Sequence, residues 1–431
     1  MIAMTDCADL LSKNETRERN MKNRSSVVLG LALCAAGCLQ AQEDAGNEIG
    51  VVEQGLVGDA IAGLTATELE RFADGKEEFG EMETIQQGLG PIFNDKSCGR
   101  CHSVGAIGGS GTQFEQRAGR LQNGVFDSLE SAGGQLFEIF TVMNLTGNDR
   151  ALVPNCTIKK NGEAIPAEAN VRALRRTTAL FGLGLVDNTP ESAFATVRDA
   201  QPAAVRGHIN HVHNIATGGT TMGKFGWKAQ VPTLHQFSGD AYLNEMGITN
   251  PEFPDEQAPS GIGGAIADCD LVTDLEDDGE DVDAFTDFMQ MLAPVEPTAQ
   301  NSQAQAGSTV FSTIGCDTCH TRTLVSGNDG PIGALNGKTY HPYSDFLLHE
   351  MGSLGDSIGG NGEAGLTEMR TAPLWGLRLA DAKHQLLHDG RATSLQDAIL
   401  KHAGQGQGAS TAFAALSTTD KNNLLAFLKT L

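Results

Sequence analysis

Two five-residue segments, Cys98-Gly-Arg-Cys101-His102 and Cys316-Asp-Thr-Cys319-His320, constrain this chain more than anything else in its 431 residues. Two thiols three residues apart, followed at once by an imidazole, fit on one helical turn. From there the thiols can add to the vinyl groups of a haem while a ring nitrogen reaches the iron. A structural zinc site wants its paired cysteines closer together than 98 and 316, and has no need of a histidine in both places. A dithiol redox motif leaves both histidines unexplained. The segments therefore predict two covalently bound haem c groups. One is attached at Cys98 and Cys101 with His102 on its iron, the other at Cys316 and Cys319 with His320.

The chain is long enough for two domains with real cores. Its formal charge is −24, from 54 acidic and 30 basic residues, which argues against nucleic acid, whose phosphates need a basic face. A solvated acidic surface explains the balance, and basic partners would suit it.

Met21-Lys-Asn-Arg24 is a short basic stretch, and Val27 to Ala36 is an apolar run of ten followed by small residues. That order predicts an export signal too short to remain as a membrane anchor. Two cleavage readings stay open. Ala35-Ala-Gly-Cys38 has the form of a lipoprotein box, with a lipid on Cys38, although Ala35 stands where leucine is usual. Ordinary cleavage after Ala41 is the other. Either way the expected location is the periplasm, with a membrane reached only through a lipid on Cys38. Of nine cysteines, four lie in the motifs and Cys7, Cys34 and Cys38 lie at the N-terminal end. Cys156 and Cys269 remain. In an oxidising compartment that pair predicts a disulfide, with two buried free thiols as the alternative.

Four segments follow: 1–41, extension and signal; 42–64, a Gly- and acid-rich lead-in; 65–295, a first cytochrome c-like domain; and 303–431, a second. Thr65-x-x-Glu68 reads as a capping box opening a helix with Leu69 and Phe72 on one face. Phe285-x2-Phe288-x3-Leu292 and Leu424-x2-Phe427-x3-Leu431 both have helical spacing, so each half should close on an amphipathic helix. Arg176 to Asp187 matches Arg370 to Asp381 at seven of twelve positions, and Asp240 to Gly247 resembles Asp345 to Gly352. These pairs occur in opposite order, so the halves are not a clean tandem repeat. The expected fold is mainly α, with two cytochrome c-like haem domains, the first enlarged by a long Gly-rich irregular insertion with a few short strands. The acidic run Asp274 to Asp283 imitates a calcium loop, but Phe285 stands at its twelfth position where glutamate is needed.

The sixth position of each iron decides between electron shuttling and peroxide or oxygen binding. In the second half His388, Met369 and Met351 are the candidate ligands. The first half offers Met222, Met246, His208, His211, His213 and His235. Trp227 and Trp375, the two tryptophans, could relay electrons or simply fill a core.

Gly90 to His102, Arg175 to Asp187, Phe225 to Ala229, His341 to His349 and His388-Asp-Gly-Arg-Ala392 together resemble the bacterial di-haem oxidoreductase family, usually labelled thiol oxidoreductases. The resemblance spans nearly the whole chain after the signal. That family looks related to di-haem cytochrome c peroxidases and to the di-haem enzyme that matures methylamine dehydrogenase. It implies two helical haem domains, with a reactive haem at His102 fed by a relay haem at His320, and a calcium ion between them. One departure stands out: the relay methionine that precedes His-Asp-Gly in the peroxidases is Leu387 here, and leucine cannot bind iron. The expected activity is peroxidase-like, with Glu115, Gln113 and Arg117 as the nearest acid, amide and base to help break an O–O bond. Electron donors would be small redox proteins or quinol-linked carriers. A non-enzymatic di-haem carrier, or an oxidase of a partner protein's side chain, are the rival readings.

Overall fold

The computed structural model describes residues 56–257, 266–273, 275–360 and 362–431. The export signal, Cys38 and Asp274 lie outside the described residues.

Thr65 opens the first helix, Ala66–Gly80, as its sequence predicts: Glu68 N donates to Thr65 Oγ1 at 3.3 Å and Thr65 N donates to Glu68 Oε2 at 2.7 Å. Phe72, Gly75 and Phe79 form its buried face, whereas Leu69, expected beside Phe72, is exposed. Against that face lies the helix Glu280–Met291, started by Asp277, whose carboxylate accepts from the backbone N–H groups of Gly279 and Asp281. Phe79 stacks on Phe288 with ring centroids 4.9 Å apart and meets Phe285 edge-on at 6.0 Å. Each fully buried phenylalanine stabilises the pair by about 1.5–3 kcal/mol. The helices approach closely because Gly75 has no side chain: a methyl group there would run into the carbonyl of Ala284.

The same construction occurs again. Asn301 caps the helix Ser302–Thr313 and Ser417 caps the helix Thr418–Leu428. They cross at Gly307, where an added methyl would collide with the Asn423 carbonyl, and Phe311 packs on Phe427 at 5.4 Å. In both pairs the crossing glycine lies on the helix that leads into a Cys-x-x-Cys-His segment. Both amphipathic helices read from the sequence are present.

One repeated segment keeps its conformation and the other does not. Val171–Arg176 and Glu368–Arg370 are strands, and each is followed by a glycine with positive φ, Gly182 (+70°) and Gly376 (+74°). A short helix comes next in each, Leu183–Asp187 and Leu377–Asp381. The copies meet, since Gly182 abuts Trp375 and Gly376 abuts Phe181. Asp240 to Gly247, by contrast, belongs to the helix Leu234–Met246 and its left-handed cap, while Leu348–Glu350 in the look-alike is a strand paired with Glu368–Arg370. Register with a neighbouring strand overrides the shared local sequence.

Between the first motif and the Glu280 helix the chain is more regular than its glycine content suggests. Phe114–Gln122 is the centre of an antiparallel sheet, pairing with Val125–Asp127, Leu136–Phe137 and Val171–Arg176. A hairpin joins His211–Asn214 to Gly219–Met222, and Glu191–Ala200 is a helix. The first hairpin turns on Asn123-Gly124, both at positive φ, a strong local turn signal that the sequence reading passed over; the other strands of this sheet are harder to read because their partners are remote in sequence. Cys156 and Cys269 are bonded, with Cα atoms 4.6 Å apart across 113 residues of sequence.

Candidate haem sites

Ser97 begins the one-turn helix Cys98–Cys101, and the next N–H, that of His102, donates to Cys98 O at 2.9 Å. The thiols of Cys98 and Cys101 are unbonded and line a cavity of about 240 Å³ together with His102. His102 Nδ1 faces Gly109 O at 3.2 Å, which orients the ring. The second motif repeats this on the tight turn Cys316–Thr318: His320 N donates to Cys316 O at 2.9 Å, and His320 Nδ1 faces Tyr343 O at 2.9 Å. Its cavity measures about 490 Å³. Burial pushes the Cys101 and Cys316 thiols up to about 12 and lowers His102 and His320 to about 4. Raised thiols are the reverse of an activated redox dithiol, and neutral imidazoles are what iron binds.

Gln113, Glu115 and Arg117 all line the first cavity. Side chains alternate along a strand, so Glu115 and Arg117 share a face, and Glu115 lies opposite Arg175 on the neighbouring strand. Glu115 and Arg117 form an ion pair. Burial and then the adjacent Arg175 pull Arg117 down to about 9. The wall is completed by Asp240, Asn244 and Glu245 from the Leu234–Met246 helix. Burial raises Glu245 to about 7, against the pull of Asn94, whose Nδ2 donates to Glu245 Oε2 at 2.8 Å, and of Arg117. Burial also raises Asp240 to about 6. Sequence reasoning found the strand residues, which follow the motif closely, and missed Glu245, which lies 143 positions beyond His102 and is brought back by tertiary packing.

Trp227 and Arg176 line both cavities. The indole N–H donates to Arg176 O at 2.8 Å, and the ring lies 6.1 Å from that of His388. Trp375 lines only the larger cavity, and its buried N–H has no hydrogen-bond partner. Arg175 Nη2, Arg176 Nε and His388 Nε2 are likewise buried without partners. Burial lowers Arg176 to about 10, and among the described residues no carboxylate pairs with it. Unsatisfied buried guanidinium donors cost free energy unless an anion meets them. The carboxylates of a haem are such anions, so thiols, imidazoles and orphaned donors together fit the cofactor that the motifs predict.

Met351, Met369 and His388 all line the second cavity, together with His402, which the sequence reading passed over. The His320 and His402 rings are 6.4 Å apart. No spacing rule marks His402, which stands at the end of the helix Leu395–Leu400. The first-half candidates are distributed differently. Met246 lines the first cavity and Met222 is in the core. His208 faces Glu368, His211 faces Glu191, and His235 sits between Glu252 and Asp283. Around the acidic run, Glu276 accepts from Thr249 N at 2.6 Å and Asp277 caps a helix. Carboxylates of Glu78, Glu83 and Asp281 gather within 4.8 Å of one another beside the Tyr242 hydroxyl.

A family model described as "Di-haem oxidoreductase, putative peroxidase" matches residues 157–431. No curated protein matches the chain. Among solved structures, a hydrazine synthase of Kuenenia stuttgartiensis is similar at 13% identity and a TM-score of 0.36, covering 92% of this chain and 100% of that one. A MauG-like protein associated with microbial copper homeostasis has the same identity and TM-score, covering 92% of this chain and 95% of its own.

Proposed function

Since this chain belongs to the di-haem oxidoreductase family, we propose that it is a periplasmic peroxidase-type enzyme with a reactive haem at His102 and an electron-relay haem at His320. The contrast between the two cavities carries this reading: carboxylates of Glu115, Asp240 and Glu245 line the first, while among the described residues no carboxylate lines the second, which is walled mainly by Leu, Ala and Phe side chains with imidazoles and the guanidiniums of Arg176 and Arg370. Two helix pairs, each crossing at a glycine beside a haem-attachment segment, support two cytochrome c-like units over 65–295 and 303–431. Export is supported by the signal-like N-terminus and by the Cys156–Cys269 bond, which suits an oxidising compartment.

Haem supplies the one-electron and peroxide chemistry when bound. Cys98, Cys101 and His102 would hold one group, and Cys316, Cys319 and His320 the other. Breaking the O–O bond of hydrogen peroxide takes two electrons and two protons and leaves two waters. The electrons come from a small redox protein or a quinol-linked carrier. Burial raises Glu245 to about 7, so it can supply a proton near neutral pH, and Asn94 Nδ2, donating to its Oε2, holds the carboxyl in place. Arg117 stabilises the negative charge that develops as the bond lengthens, and Glu115 fixes the Arg117 guanidinium in place. Gln113, whose Nε2 donates to Arg100 O at 3.0 Å, closes the rim. Trp227, against both cavities, provides the path for electrons between them.

Rapid mixing of the half-reduced protein with peroxide tests the reading. Fast reaction confined to the spectrum of the haem at His102, abolished by Cys98→Ala/Cys101→Ala, is expected. Two low-spin haems in every redox state, with no peroxide turnover, would leave a simple electron carrier.

A further inference from the structure

We infer that His402 is the second axial ligand of the haem at Cys316 and Cys319, so that its iron is held between two imidazoles. This rests on the reading that a haem is attached there, and it goes beyond it by assigning the far side.

The ring centroids of His320 and His402 are 6.4 Å apart, with their planes at 61°. Two imidazoles on opposite sides of one metal, each with a metal–nitrogen distance of about 2 Å and a ring radius of roughly 1 Å, place their centroids roughly 6 Å apart. The observed spacing matches. Direct packing of two rings also covers this distance, so the hydrogen bonds decide. His320 Nδ1 faces Tyr343 O at 2.9 Å and His402 Nδ1 faces Ala398 O at 2.9 Å. Each carbonyl accepts the Nδ1–H and leaves the Nε2 lone pair free, which is how a protein fixes the tautomer of a metal-ligating histidine. Among the described residues no hydrogen bond to either Nε2 is recorded, and both rings line the 490 Å³ cavity.

The local chain explains how His402 is aimed. Ser394 caps the short helix Leu395–Leu400, with Asp397 N donating to its hydroxyl at 3.1 Å. Ala398 O is one of the helix's terminal carbonyls, which need partners from outside the helical ladder. His402, four residues on, supplies one. Gly404 then turns the chain with φ +53°, and the missing side chain at Gly406 leaves space for the imidazole, since a methyl there would lie 3.2 Å from His402 Cδ2.

The rival ligands are placed less well. His388 Nε2 also makes no hydrogen bond, but it has the Asp389 carboxylate 3.9 Å away, its ring packs on Trp227, and its backbone oxygen accepts from Arg176 N at 2.6 Å. Met369 lies in the strand Glu368–Arg370, opposite His349 in the register. Met351 is the nearest competitor, since its methyl group reaches Gly406 beside His402. Two imidazoles close the iron to added ligands and give a lower potential than a His/Met pair.

The test is spectroscopic. Holoprotein is prepared as wild type, His402→Ala, His402→Met and Met351→Leu, and its haem is counted by the alkaline pyridine spectrum. Low-temperature electron paramagnetic resonance and magnetic circular dichroism then read the axial ligands. Wild type should contain one bis-imidazole low-spin haem. His402→Ala should lose that signal from one haem of two and regain it with added imidazole. If the alanine variant fails to mature, His402→Met should keep a low-spin haem with a methionine charge-transfer band and a raised potential. Met351→Leu should leave the signal unchanged. A bis-imidazole signal absent from wild type, surviving His402→Ala, or lost in Met351→Leu overturns the assignment. A count of one haem in wild type overturns the underlying di-haem reading instead.

Discussion

Replacing Gly307 by alanine tests whether the helix leading to the second haem motif depends on close crossing with the C-terminal helix. The new methyl would lie on the carbonyl oxygen of Asn423, 2.5 Å from its carbon and 2.9 Å from Phe427 Cβ. Non-bonded carbon atoms are comfortable at about 3.5–4.0 Å. The helices must therefore separate by on the order of 1 Å along the whole Phe311–Phe427 contact. Overpacking of this kind costs about 1–3 kcal/mol. Alanine offsets some of that, because it is about 1 kcal/mol better than glycine inside a helix. The net expectation runs from neutral to a destabilisation of about 2 kcal/mol. Gly333, which lines neither cavity and has nothing within 4 Å of an added methyl, is the control and should be neutral or slightly stabilised as alanine. Denaturant unfolding of the holoproteins by circular dichroism gives both values. A gain of about 1 kcal/mol for Gly307→Ala, the helix-propensity value with no clash to offset it, would refute the close crossing, and with it the structural equivalence of the two helix pairs. Gly75→Ala, facing the Ala284 carbonyl in the first pair, should behave as Gly307→Ala does.

Three further outcomes are expected. Changing Cys156 and Cys269 together to serine should cost on the order of 5 kcal/mol, the chain-entropy value for a loop of this size, and alkylation without reduction should label neither cysteine in wild type. Peroxide turnover should fall as pH rises through about 7, because the raised Glu245 is an effective acid only while protonated; Glu245→Gln should remove that limb and slow the reaction by roughly 10²–10⁴, and an unchanged profile would exclude Glu245. Trp227→Phe should slow electron exchange between the haems, followed by flash reduction, while both haem spectra stay as in wild type.

The sequence alone determined what was covalently or locally encoded. The two Cys-x-x-Cys-His segments needed only adjacency along the chain, and the Thr65 capping box and the two closing helices needed only helical periodicity. The pairing of Cys156 with Cys269 followed from elimination among nine cysteines. That Glu115 and Arg117 face the first cavity together was within reach, because the strand Phe114–Gln122 just past the motif turns alternate residues the same way, with Gln113 immediately before it. Tertiary structure decided what depends on contacts between distant segments. Asp240 to Gly247 and Asp345 to Gly352 are alike in sequence, yet one is a helix and the other is extended, since only the second has a strand beside it. Glu245 is an ordinary helical glutamate in the sequence; burial beside Asn94 and Arg117 makes it titrate near neutrality. His402 follows no motif, and it meets His320 across 82 residues because the Ala398 carbonyl orients its ring in that cavity. Spacing rules read neighbours along the chain, whereas the far side of a buried cofactor is built by whichever segments the fold brings there.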